Sequence, residues 1–223
     1  MQWQAFLSAM IAVWALGHSP VQALPPCTAP NLQIVATSED DAKAVCEGAS
    51  RALWFLDEHG LNLREPVLVI VDHKLPESQS GSAAGVYLSA SRQIHMLSFN
   101  AFQAFETWFH TPISRETYIS LAAHEISHAI TDSHFRVDKP SVHAREYLAY
   151  VTLFATMPTA LREQMLLALP GSTPQDEVRL SLMVYLMDPM FFAAQSYRHF
   201  MSLSHPAQLN FLHAVLSGRV FAD

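Results

Sequence analysis

Basic residues are scarce in this chain: 13 Lys and Arg stand against 20 Asp and Glu among 223 residues, a formal net charge of -7. A nucleic-acid partner would want a basic face, and the sequence has none to offer. There is no long charged run, no low-complexity segment and no internal repeat that would point to a solenoid or an array. Cysteine is also rare. Cys27 and Cys46 are the only two, and neither has the short spacing to another Cys or His that a structural zinc site requires. Half of the residues are hydrophobic, which suits one ordinary enzyme-sized core, and a single domain over 24–223 is expected.

The first residues read as an export signal. Ala5 to Leu16 is an apolar stretch, too short to span a membrane, and Gly17, Pro20 and the small-residue site Val21-Gln22-Ala23 follow it. Cleavage after Ala23 is expected, although no Lys or Arg precedes the apolar run. Pro26 occupies the position where lipoprotein processing needs a small residue, so Cys27 is not read as a lipidation site. An exported protein, periplasmic or secreted and with no stable span after signal removal, would pair Cys27 with Cys46 as a disulfide.

The pattern of the mature chain is α+β, with a small N-terminal β-sheet and a predominantly helical C-terminal half. Leu32 to Ala36 is a short strand candidate. Ser38 and Asp41 stand at capping-box spacing before a helix that Gly60 closes. Pro66 to Val71 reads as a buried strand, and Gly85–Ser89 with Gln93–Leu97 as a hairpin around Ala90-Ser91-Arg92. The Ser/Gly-rich stretch from Ser78 to Gly85 reads as a loop or a lid. Phe99 to Phe109 is expected to be a short aromatic helix. Further helices are expected from Ser114 to Ser133, Val142 to Met157, Thr159 to Leu169, Pro174 to Met187, Phe192 to Phe200 and Pro206 to Leu216.

Within the helix of Ser114 to Ser133 lies His124-Glu125-Ile126-Ser127-His128, an H-E-x-x-H motif. Histidines four apart share one helical face, so both imidazoles can reach one metal ion. Glu125 beside them can take the proton of a zinc-bound water, whose pKa the metal lowers to about 7. Metal-assisted hydrolysis is therefore the reading, and a third ligand is needed. His134 matches the spacing of the metzincins, but Thr131 stands where their motif has glycine, and threonine resists the sharp turn required. Glu146, on the next helix, is the other candidate, with His143 one turn earlier as a residue expected to line the site.

The stretch from about Ile119 to Val151 resembles the gluzincin metallopeptidases, in which an H-E-x-x-H helix is followed by a helix carrying a glutamate ligand. That glutamate commonly opens a pattern of Glu-Gly followed by Ala and Tyr. In full the pattern is close to Glu-Gly-x-Ala-x-Tyr; Glu146 and Ala149 fit it, with Tyr147 in place of the glycine and Tyr150 one position before the tyrosine, and 17 residues (129–145) separate His128 from Glu146. The resemblance implies a zincin-like zinc metallopeptidase acting on a peptide or protein substrate, with Zn2+ on His124, His128 and Glu146 and with Glu125 as general base. It also implies a donor to the oxyanion from later in the chain, for which Tyr197 and His199 are the candidates, and an edge strand of the Val86–Leu97 hairpin that pairs with extended peptide. Asp132 or Asp138 would orient a ligand imidazole. A different class of function, a non-catalytic zinc-binding or interaction module, has no need of a carboxylate at Glu125.

Overall fold

The computed structural model describes residues 27, 29, 31–76, 83–169, 171 and 180–221. The expected export signal, most of the Ser78–Gly85 loop and the start of the helix expected from Pro174 lie outside the described residues. The expected α+β architecture is present: a mixed sheet in the first half and helices thereafter.

Strand β1 (Leu32–Ala36) leads into helix α1 (Glu39–Asp57), and β2 (Val67–Asp72) returns parallel to β1. Ser38 caps α1 from an extended conformation, its hydroxyl accepting from the Asp41 amide, with Glu39, Asp40 and Asp41 in the first turn. Gly60, at φ +76°, turns the chain away from the helix. Strands β3 (Gly85–Leu88) and β4 (Gln93–Leu97) form the expected antiparallel hairpin, and β4 also pairs parallel with β2. The order is β1-β2-β4-β3, so β3 is an edge strand. Cys27 and Cys46 are joined in a disulfide that ties the segment before β1 to the middle of α1.

The aromatic segment differs from expectation. Helix α2 spans only Phe99–Gln103, and Glu106, Phe109 and His110 adopt positive φ as the chain folds into two short strands, β5 (Thr107–Trp108) and β6 (Thr111–Pro112). The spacing of Phe102, Phe105 and Phe109 fits one helical face, but the rings have different destinations. Phe102 is buried in the main core, Phe109 in a second cluster with Leu153 and Phe154, and Phe105 is exposed. A helix continued to Phe109 would hold all three on one side and could not serve both clusters.

Helix α3 (Arg115–Asp132) is the centre of the molecule. A reciprocal capping box opens it, with Ser114 accepting from the Thr117 amide and Thr117 accepting from the Ser114 amide. It is buried on nearly all sides, against α1, β3 and α4 (Val142–Thr156). Its contact with α1 is unusually close, because a Cβ built on Gly48 would lie 2.4 Å from the Ile119 carbonyl oxygen and 2.7 Å from Ala122 Cβ. Only glycine lets the two backbones approach so near. Gly48→Ala is expected to cost about 1–3 kcal/mol, because the obstructing atom is backbone and cannot turn aside. A denaturant midpoint equal to that of the unaltered protein would show that the crossing has slack.

Of the remaining helices, α6 (Leu182–Met187), α7 (Pro189–Ser202) and α8 (His205–Leu216) pack on α4, and α5 (Thr159–Ala168) packs on β6. The helix expected from Pro174 is seen only from Leu182, and Pro189 starts a new one capped by Asp188. Among the described residues, no helix is long and apolar enough to cross a membrane.

Candidate metal centre

On α3, His124 and His128 stand one turn apart with their Nε2 atoms 3.2 Å from each other. From the second turn of α4, Glu146 reaches back between them. Its Oε2 lies 3.6 Å from His124 Nε2 and its Oε1 lies 3.5 Å from His128 Nε2. Ligands about 2.0–2.2 Å from a tetrahedral zinc ion stand about 3.3–3.6 Å from one another; the two imidazole nitrogens are about that far apart, Glu146 presents one oxygen to each of them, and one ligand atom from each of the three residues lies within 4.8 Å of the others. Two neutral nitrogens and one carboxylate are also a donor set that suits zinc. Among the described residues these three form a cluster able to hold a metal ion.

Burial sets the charge state of the cluster. His124 is held well below the usual imidazole range by burial and then by neighbouring His128. His128 is lowered to about 4 by burial and the nearby Arg145 charge, against an opposing pull from Asp132. Glu146 is raised to about 7 by burial alone. Both imidazoles are therefore neutral and ready to ligate at neutral pH, while the carboxyl gives up its proton only near pH 7. The His124 ring is fixed by packing: it lies 4.7 Å from the Tyr150 ring and edge-on to His128 at 4.8 Å. The Ala149 backbone pulls weakly against the lowering of His124, and the buried Nδ1 has no well-formed hydrogen bond among the described residues.

Glu125 is buried beside the triad, and burial followed by the Glu146 charge pushes its carboxyl well above the usual range. The wall against it is backbone. A Cβ on Gly85 of β3 would lie 2.6 Å from Glu125 Oε1, so the absence of a side chain there gives the carboxyl its space. Asp132, at the end of α3, accepts hydrogen bonds from Ser89 Oγ (2.6 Å) and Tyr87 Oη (3.2 Å) and so fastens β3 to the metal helix. Of the two aspartates considered for orienting a ligand, Asp132 is the one in the cavity; Asp138 is exposed.

The triad and Glu125 line one cavity of about 900 Å3, bounded by β3 on one side and by Trp108, Phe109, Tyr150 and Tyr185 on others. The Tyr150 and Tyr185 hydroxyls are held protonated, first by burial and then by the charges of Glu146 and Glu125. They are donors facing two carboxyl groups.

Several expected residues lie elsewhere. His134 is not a third ligand: α3 continues through Thr131, whose hydroxyl donates back to the Ser127 carbonyl, and carries His134 away to the Asn62 carbonyl, 3.0 Å from its Nε2. The metzincin arrangement is thus not formed. His143 does not line the cavity and packs on Phe221. Tyr197 stacks on Phe154 in the second core, and His199 Nδ1 is 2.8 Å from the Tyr147 hydroxyl; neither reaches the cavity. The residue that replaces the usual glycine, Tyr147, is what engages His199. Sequence reasoning gave no role in the site to Gly85, Arg145 or Tyr185, and met Tyr150 only as part of the family pattern. Tyr150 carried a usable signal, since it stands four residues after Glu146 and so on the same face.

Residues 32–223 match a family of unknown function, DUF6639. No curated protein and no solved structure matches the chain.

Proposed function

The chain belongs to the DUF6639 family of unknown function, and from the site itself we propose a zinc-dependent metallopeptidase of gluzincin type. The observation that carries this reading is the Glu146 carboxylate converging on both motif histidines, with Glu125 in the same cavity. His124, His128 and Glu146 would hold Zn2+, which when bound supplies Lewis acidity toward a carbonyl and a more acidic water. Glu125 takes a proton from the attacking water and passes it to the leaving amine. The Tyr150 and Tyr185 hydroxyls, rather than Tyr197 or His199, donate to the oxyanion that develops on the carbonyl. The outer edge of β3 pairs with the backbone of an extended peptide and lays it along the cavity. Export, with removal of residues 1–23, fits the Cys27–Cys46 disulfide.

A metal-holding module without catalysis is the other reading. It leaves unexplained why a buried carboxylate stands against the backbone of an edge strand in the same cavity.

The test is joint measurement of metal and turnover. About one zinc per chain and cleavage of a mixed peptide library are expected; a native protein that binds no zinc would sink both readings, and zinc without cleavage would favour the module. Zinc affinity should also fall about tenfold per pH unit below about 7. Glu146 keeps its proton there and must lose it to ligate, while His128 offers no competition until pH nears 4. An affinity that is flat from pH 7 to 5 would contradict this assignment of charge.

A further inference from the structure

Arg145 precedes the ligand Glu146 on α4, and both line the cavity. Among the described residues that line the cavity it is the only Lys or Arg. Among the described residues it makes no salt bridge, and its buried Nε meets no hydrogen-bond acceptor. The acids around it are engaged elsewhere. Glu146 turns one oxygen to each imidazole, and Asp132 accepts from Ser89 and Tyr87. Its charge is felt at His128 and at Tyr87. A cation beside a site for a metal cation weakens metal binding, so holding the metal gives no reason for it to be there. An anion gives one.

We propose that Arg145 anchors a carboxylate of the substrate. The fork of a guanidinium matches a carboxylate in two parallel hydrogen bonds, and a half-buried, unpaired one is preorganised for that contact. The proposal rests on the peptidase reading above and adds the substrate's chemical class to it. Position along β3 sets the distance. Gly85 lies against Glu125, and Tyr87, on the same face two residues further, lies toward Asp132 and Arg145. Two residues of extended strand span about 6.8 Å, so the anchored group stands about two residues from the peptide bond under attack. That carboxylate is either the C-terminus of a peptide or an acidic side chain.

The experiment uses zinc-loaded protein carrying Glu125→Gln, so that peptides bind without turnover. The probes are N-acetylated hexapeptides, each made with a free or an amidated C-terminus and with Glu or Gln at each position in turn; calorimetry reads their affinities. One arm should show a preference for the charged form of roughly ten- to a hundredfold, identifying the source of the carboxylate. Adding Arg145→Ala should abolish the preference while zinc content and circular dichroism stay unchanged. Arg145→Lys should retain part of it, because the charge remains and the fork does not. Absence of a preference in every arm, absence of peptide binding, or a preference that survives Arg145→Ala would overturn the proposal. Its failure is distinct from that of the peptidase reading. Cleavage by the Glu125-intact protein without carboxylate preference overturns only the anchor, whereas carboxylate-dependent binding without cleavage overturns only the peptidase.

Discussion

Replacing His124 with alanine is expected to leave the protein unable to retain zinc. Structural zinc in small peptides is bound with roughly 10–16 kcal/mol, so if the triad here shares a binding energy of that order, losing one of its members should weaken affinity by about 10³-fold. The loss is specific to the metal, because α3 is held by its capping box and by packing on α1, β3 and α4 rather than by this side chain. Dialysed protein should therefore keep its helical circular dichroism and lose its metal signal. Glu146→Gln should do the same, since the amide keeps the shape and gives up the charge. Zinc retained at one per chain in His124→Ala would place the metal elsewhere and dismiss the triad.

Glu125→Gln should give the opposite separation, with zinc retained and peptide cleavage reduced by about 10²–10⁴-fold, the usual contribution of a positioned acid-base group. Glutamine fits the slot that Gly85 leaves open, so the site keeps its shape and loses only the proton shuttle. Cleavage at the unaltered rate would remove Glu125 from the mechanism. Loss of zinc together with activity would mean that the carboxylate supports the metal and not the chemistry. Read together, the two variants distinguish ligand from base, which the motif places at adjacent positions.

Much of this arrangement was legible before any coordinates. The H-E-x-x-H spacing, the caps at Ser38 and Ser114, the hairpin of β3 and β4 and the preference for Glu146 over His134 all rest on local rules of periodicity and turn chemistry. Thr131 shows why such a rule works: a β-branched residue that continues the helix cannot release His134 toward the metal. What was not legible depends on convergence of distant segments. Helical spacing alone could not show that Phe102 and Phe109 serve different cores. Tyr197 and His199 had the right chemistry, but α7 spends their faces on Phe154 and Tyr147. Gly85 and Tyr185 carry no local signal, because their roles are defined by what they meet across the cavity.

The two halves of the site differ in how far apart they lie along the chain. His124, His128 and Glu146 sit on consecutive helices, with 17 residues (129–145) between the last two, whereas Gly85 meets Glu125 from 40 positions away. Closing the shorter loop costs less entropy and needs only the pairing of neighbouring helices. The triad therefore depends on the pairing of two neighbouring helices, whereas the wall against Glu125 depends on the sheet. The half proposed to lay a substrate against Glu125 is complete only where β3 docks. On the proposed reading, loosening β3 from α3 would spare the three metal-facing side chains and remove only the wall at Glu125, so holding an ion and acting on a substrate are separable by where the molecule is disturbed.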